Sequence, residues 1–308
     1  MNSKERSYGD PPTEIPSRRD SPKHRVDNKM TRRQFLRRGA LAVIGAGLFT
    51  GGYSWLWEPR HLSIERVQLT FTKLPAAFDG LKVVQFSDLH LGHHSHENDF
   101  SELMDAIMSQ SPDLICLTGD IVDSHAEQMT SFVPYLASLK APLGKFVVLG
   151  NHDYRGQYDE VGRMLTEAGF ILLRNSHRLL KKDGKAIAVV GLDDLLQGTP
   201  DPDQALKGVP DGTFSLLLMH EPDYADTAVL YPFDIQLSGH SHGGQVRFPL
   251  IGAITTPAGS KRYIQGLYDF QPSGMLLYVN RGFGTTQLPI RLLCKPELTV
   301  FTLNSGDK

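Results

Sequence analysis

Five short polar clusters in a chain of 308 residues carry side chains of the kinds that hold divalent metals. The first is Asp88-Leu89-His90, a carboxylate and an imidazole two residues apart, which extended backbone points to the same side. Next comes Gly119-Asp120-Ile121-Val122-Asp123, where glycine allows a sharp turn and Asp120 can offer one oxygen to each of two metals. In Gly150-Asn151-His152-Asp153 a neutral amide oxygen can bind a metal without adding charge, leaving His152 free to donate a hydrogen bond. His220, ahead of Glu221-Pro222, is the fourth. Gly239-His240-Ser241-His242-Gly243-Gly244 is the fifth and the most specific, because its bracketing glycines let backbone approach a metal and a substrate closely. Taken singly, the first two clusters also read as a solvated loop and a Gly-Asp turn, and His220 as a surface histidine. Pooled, two Asp, one Asn and four His suffice for two cations bridged by Asp120. Mixed nitrogen and oxygen donors suit Mn, Fe or Zn better than Ca or Mg. No His-Glu-x-x-His occurs, which disfavours a metalloprotease.

Apolar runs must position these clusters. Each cluster follows a run that reads as a strand: 82–86, 113–118, 145–149, 214–219 and 234–237. Further strands are expected at 64–71, 170–174, 276–280 and 298–303, with a hairpin of 178–180 and 186–191 around Lys182-Asp183-Gly184. Helical spacing predicts helices over 98–110, 128–139 and 158–168, the last ended by Gly169. The first half alternates strand and helix, and the later half is richer in strands and turns. The expected fold is α/β: a four-layer αββα sandwich of two mixed sheets flanked by helices, occupying residues 59–308. In such sheets ligands bind beyond the carboxyl ends of the strands, which is where all five clusters fall.

The order Asp-x-His, Gly-Asp-x-x-Asp, Gly-Asn-His-Asp, His, Gly-His-x-His resembles the calcineurin-like metallophosphoesterase family across about residues 65–305, with every block intact. The surrounding residues resemble one bacterial branch of it, small exported or membrane-anchored phosphodiesterases. Those residues are Asp79-Gly80-Leu81, Ser87-Asp88-Leu89-His90-Leu91-Gly92, His242-Gly243-Gly244-Gln245 and Asn280-Arg281-Gly282-Phe283-Gly284-Thr285-Thr286 with Pro289, Arg291 and Pro296-Glu297. The resemblance implies one metal held by Asp88, His90, Asp120 and His242, and a second by Asp120, Asn151, His220 and His240. It implies that His152 contacts the leaving group or a phosphoryl oxygen, and that Asp123 and Asp153 orient the ligands. The implied cofactor is a pair of divalent ions, with Mn favoured over Fe or Zn. The implied reaction is hydrolysis of a P–O bond in a phosphodiester by metal-activated hydroxide. Arg281 is a candidate phosphate clamp by its fork geometry, a structural arginine being the alternative. Some relatives in the branch resemble pyrophosphatases of a UDP-linked acylated glucosamine in lipid A synthesis, so a lipid-linked pyrophosphate is the second substrate reading. A noncatalytic metal-binding envelope protein is a third, which a lost ligand or a lost His152 would favour; neither is lost.

The N-terminus reads as an address. Residues 1–30 are too polar to bury much surface and are expected to be a disordered tail. In 31–58, Thr31-Arg32-Arg33-Gln34-Phe35-Leu36-Arg37-Arg38 leads into the apolar, Gly-rich Gly39-Ala40-Leu41-Ala42-Val43-Ile44-Gly45-Ala46-Gly47-Leu48-Phe49. That order resembles a twin-arginine signal, read by the machinery that exports folded proteins. Residues 39–57 would also just span a bilayer, with Tyr53, Trp55 and Trp57 suited to its interface, and no clear cleavage site follows. The expected location is the periplasm, the cell wall or the outer face of the cytoplasmic membrane. Charge is divided accordingly: residues 1–38 carry 11 Lys/Arg against 5 Asp/Glu, and the remainder 21 against 29. An acidic body excludes nonspecific nucleic-acid binding through a basic face. The two cysteines, Cys116 and Cys294, read as buried free thiols, with a single disulfide as the alternative.

Overall fold

Aliphatic and β-branched runs that are buried on both faces build two six-stranded sheets, in a computed structural model that describes residues 30–94, 97–155 and 157–306. The expected tail, apart from Met30, and His96 lie outside the described residues. Strands β1 (Ser63–Phe71), β2 (Leu81–Phe86), β3 (Leu114–Thr118), β4 (Lys145–Val148) and β5 (Ile171–Leu172) belong to the first sheet. Strands β6 (Ser176–Lys182), β7 (Lys185–Gly191), β8 (Phe214–Leu218) and β9 (Ile235–Ser238) belong to the second. After a ribbon of β10 (Arg247–Phe248) and β11 (Gly252–Ala253), β12 (Gly266–Phe270) and β13 (Met275–Val279) complete the second sheet, and β14 (Glu297–Ser305) returns to the first. The orders are β1-β14-β2-β3-β4-β5 and β12-β13-β9-β8-β7-β6. Both sheets are mixed: β2, β3, β4 and β5 run parallel with β14 antiparallel to β2, and β7, β8, β9 and β13 run parallel with antiparallel edges.

Helix α1 (Arg32–Gly52) precedes the sheets, and α2 (Glu97–Ser109), α3 (Val133–Ser138), α4 (Asn151–Arg155), α5 (Tyr158–Glu167), α6 (Pro202–Leu206) and α7 (Ala225–Ala228) lie among the strands. Alternation along the strands sorts side chains into three cores. Val83, Cys116, Phe146 and Val148 face Ile187, Val189, Leu216, Leu218 and Leu237 between the sheets. Val84, Phe86, Ile115, Leu117 and Val147 pack instead against Phe100, Leu103 and Ile107 of α2 and Val161 and Leu165 of α5. On the far side Ala188, Val190, Leu217 and Leu277 meet Ala205 of α6 and Ala225 and Ala228 of α7. The molecule is therefore the expected αββα sandwich. Both cysteines are buried and free.

Two expectations are altered. The helix expected over 128–139 is a 3₁₀ run, Ala126–Phe132, followed by the short α3, because Pro134 opens that helix and has no N–H to continue the earlier turns. The strand expected over 170–174 pairs only at Ile171 and Leu172 before Asn175, at φ 45°, turns the chain. One compact unit spans residues 48–308, in which Glu58 is 1% exposed and accepts a hydrogen bond from the Cys294 backbone N–H. Helix α1 has no buried residue, and its N-terminus is a capping box: Gln34 N–H donates to Thr31 Oγ1 at 3.2 Å and Thr31 N–H to Gln34 Oε1 at 3.0 Å. Among the described residues, Arg32–Arg60 is the stretch long and apolar enough to cross a membrane.

Candidate metal centre

The loops after β2, β3 and β4 leave adjacent parallel strands of one sheet, and those after β8 and β9 leave adjacent parallel strands of the other. All five polar clusters consequently converge at one end of the sandwich. Beneath them Gln85 ties the sheets together: its Nε2 donates to Thr118 Oγ1 and to the Ser238 carbonyl, each at 3.0 Å. Asp88, His90, Asp120, Asn151, His220, His240 and His242 are all buried.

Two groups of ligating atoms form there. Asp88, His90 and His242 make one, with Asp88 Oδ1 3.3 Å from His242 Nε2, which lies 3.0 Å from His90 Nε2. Asp120, His220 and His240 make the other, with Asp120 Oδ2 3.2 Å from His220 Nε2, which lies 3.2 Å from His240 Nδ1. Asp120 Oδ2 is also 3.6 Å from His90 Nε2, so this one carboxylate stands between the groups.

Backbone contacts fix which nitrogen each imidazole presents. His220 Nδ1–H donates to the Thr118 carbonyl at 2.6 Å, so its Nε2 faces Asp120. His240 does the reverse, giving its Nε2–H to the Ala258 carbonyl at 2.6 Å and its Nδ1 to the site. The buried Asn151 Oδ1, which no donor reaches, is an acceptor that a cation would satisfy. The donor set thus fits divalent metal ions.

Electrostatics agree. Burial opposes ionisation at both aspartates: it prevails at Asp88, whose carboxyl is raised, while His220 and His90 outweigh it at Asp120 and hold that carboxyl well below the usual range. Burial and the neighbouring His220 push His240 down to about 4, and burial and His90 hold His242 well below the usual imidazole range. Both imidazoles are therefore neutral at pH 7, with lone pairs a cation could use.

The loops are strained to achieve this. Asp88, His90, Asp120, His240 and His242 all have φ between 43° and 66°, a left-handed conformation that costs L-residues ~1–2 kcal/mol each. Gly150 and Gly239 are required by proximity. A Cβ on the first would lie 2.4 Å from Asp120 Oδ1, and one on the second 2.3 Å from Asp88 Oδ2.

Three further residues differ in role from the ligands. His152 sits half-buried at the rim, its Nδ1–H donating to the Asp123 carbonyl at 2.7 Å and its backbone N–H to Asp120 Oδ1 at 2.8 Å. Asp123 Oδ1 lies 3.5 Å from His90 Nδ1, so Asp123 steadies both histidines. Asp153 accepts from the N–H groups of Ile121, Val122 and Gly150, pinning the Asp120 loop to the Asn151 loop. Arg281 is already paired: its Nη2 with Glu65 at 2.6 Å and its Nε with Glu297 at 2.5 Å.

A cleft of about 700 Å³ opens over Asp120, Asn151, His240 and His242, lined also by His152 and Arg155 and by the apolar Leu196, Val246, Ile254, Leu288 and Ile290. Sequence reasoning missed this apolar wall, whose residues come from loops without periodicity. Tyr263, Tyr268 and Phe270 pack on one another and on the outer core.

Residues 81–244 match the profile of the calcineurin-like phosphoesterases. The chain is 42% identical to the metallophosphoesterase YkuE of Bacillus subtilis (strain 168), over 91% of this chain and 99% of that one. It is 32% identical to the phosphodiesterase YaeI of Escherichia coli (strain K12), over 89% and 99%. It is 28% identical to the UDP-2,3-diacylglucosamine pyrophosphatase LpxG of Chlamydia muridarum (strain MoPn / Nigg), over 84% and 94%.

Proposed function

The chain belongs to the calcineurin-like phosphoesterase family and is a phosphoester hydrolase by that membership, and on this premise we propose that it is a phosphodiesterase dependent on two divalent ions, Mn before Fe or Zn. The observation that carries the proposal is Asp120, within 3.6 Å of imidazoles in both ligand groups. Asp88, His90, Asp120 and His242 would hold one ion, and Asp120, Asn151, His220 and His240 the other. When bound, such a pair supplies a water of lowered pKa and neutralises charge on the phosphoryl oxygens.

The chain's own residues do the rest. Neutral His240 and His242 offer lone pairs, and ionised Asp120 an anionic oxygen, to the ions they would hold. His152, held by the Asp123 carbonyl, turns its Nε2 to the cleft. Carrying a proton there, it stabilises a phosphoryl oxygen or passes the proton to the departing alkoxide. Arg155, which also lines the cleft, adds a cation for the ester's negative charge. The cleft's apolar lining favours a second reading, a lipid-linked pyrophosphate such as the LpxG relative's name describes.

Location is proposed from the leader: export by the twin-arginine route, with α1 retained as an anchor on the outer face of the cytoplasmic membrane. The decisive assay is hydrolysis of bis-p-nitrophenyl phosphate by detergent-purified, Mn²⁺-loaded full-length protein, set beside a monoester and a lipid-linked pyrophosphate. Diester turnover that chelation abolishes is the expected result. Turnover that survives complete metal removal would refute the mechanism.

A further inference from the structure

Leu250 and Leu293 are exposed leucines in the left-handed region, at φ 68° and 53°. Turns needing positive φ are cheapest with Gly or Asn, so a branched side chain there costs backbone strain as well as hydration. Leu250 is fully exposed at the tip of the β10–β11 ribbon, in the run Arg247-Phe248-Pro249-Leu250-Ile251-Gly252-Ala253-Ile254, where Phe248, Ile251 and Ile254 are exposed too. Scattered exposed leucines are ordinary, whereas four large apolar side chains on one small ribbon form a patch.

The position of that patch says what covers it. Residues 291–294 form a strap with the ribbon on one side and the foot of the N-terminal helix on the other. Toward the ribbon, Arg247 N–H donates to the Leu292 carbonyl and Leu292 N–H to the Gln245 carbonyl, each at 2.9 Å. Toward the foot, Arg291 N–H donates to the Ser54 carbonyl at 2.9 Å, and Cys294 N–H to buried Glu58. Lys295 lies 5.2 Å over the ring of Trp57, and Trp55, Leu56 and Trp57 are themselves exposed. The apolar ribbon is therefore joined by one tetrapeptide to the place where the apolar N-terminal segment enters the body. Exposed tryptophans beside a lysine are the residues that favour a membrane–water interface.

The geometry points to a second membrane contact: the β10–β11 ribbon and Leu293 dock into the surface of the lipid bilayer that α1 spans, which puts the rim of the cleft at that surface. Val246 and Ile254, the residues flanking the ribbon, also line the cleft, so an ester carried on a lipid would reach the metal ligands without leaving the interface. This inference rests on α1 being a membrane anchor and extends the phosphoesterase reading to amphiphilic substrates.

The test uses the full chain reconstituted into phosphatidylglycerol–phosphatidylethanolamine vesicles containing lipid brominated along the acyl chain. A bimane label is attached in turn at Val43→Cys in α1, at Leu250→Cys, and at Lys182→Cys in the exposed β6–β7 turn at the opposite end of the second sheet, both native thiols being buried. Quenching at 43 and at 250, each at least twofold greater than at 182, is expected. Quenching at 43 without quenching at 250 overturns the docking and spares the anchor, whether the ribbon is bare or covered by a second copy of the chain. Quenching at neither overturns both. The Leu250→Asp/Ile251→Asp double variant should keep wild-type turnover of soluble bis-p-nitrophenyl phosphate and lose about tenfold on the same ester borne by a lipid. Equal turnover of the lipid-borne ester by variant and wild type would also overturn the docking, while loss of soluble turnover on chelation tests the phosphoesterase reading separately.

Discussion

His152 and Asn151 are neighbours in sequence with opposite duties, and a pair of substitutions separates them. Asn151 Oδ1 is a buried acceptor without a donor, whereas His152 has its Nδ1 committed to the Asp123 carbonyl. Asn151→Ala or His240→Ala should lower the metal bound per chain by elemental analysis. His152→Ala should keep full metal and lose ~10²–10⁴-fold in kcat, the usual contribution of a positioned acid. Metal loss in His152→Ala would move that histidine into the ligand set. That these side chains meet was legible because carboxylate, amide and imidazole at i, i+2 spacing, each after an apolar run, are rare in combination. Their presenting nitrogens were not legible, since Thr118 and Ala258 contribute only carbonyl oxygens, which every residue has. Arg281 shows the same limit: its partners, Glu65 and Glu297, lie far from it in sequence.

Loops between elements owe their form to single buried carboxylates. After β7, residues 193–199 fold around Asp193, which accepts from Thr199 N–H at 3.0 Å, from Asp194 N–H at 3.1 Å, from Arg174 Nε at 3.0 Å and from the Tyr154 hydroxyl of α4. The loop thereby carries Leu196 to the cleft wall. Burial alone would raise the Asp193 carboxyl, but Tyr154, the Thr199 N–H and Arg174 outweigh it and the net shift is downward. A lowered folded-state pKa gives stability that is full above the unfolded value of ~3.9 and is lost as pH falls through the folded value. Asp193→Asn should therefore cost ~1–3 kcal/mol in urea unfolding at pH 7, the penalty for unpaired buried partners. Measured in chelator at both pH values, the gap between wild type and variant should narrow below ~3.9, and a gap that stays constant would contradict this linkage. Strands and long helices here were readable from period and length, as with α2 and α5. Elements of two residues, such as β5, β10 and β11, carry no period and are set by their pairing partners.

At the scale of the whole molecule, the side chains that could hold metal come from Asp88 to His242 across two sheets, so they meet only once the body has folded. A route that moves folded protein would allow metal to be chosen on the side of synthesis, before export. The proposed leader resembles what such a route reads, with Arg32-Arg33-Gln34-Phe35-Leu36 at the capped start of α1. Replacing both arginines by lysine separates recognition from membrane physics. Lysine keeps the positive charge that orients an N-terminal segment and nearly the same helix propensity, so simple insertion would proceed unchanged. Only a receptor that distinguishes the planar guanidinium fork from an ammonium would respond. Arg32→Lys/Arg33→Lys should therefore leave full-length, metal-loaded protein in the cytoplasmic fraction, with diester turnover per metal equal to that of wild type. Export at the wild-type level would show that α1 enters the membrane by charge and hydropathy alone.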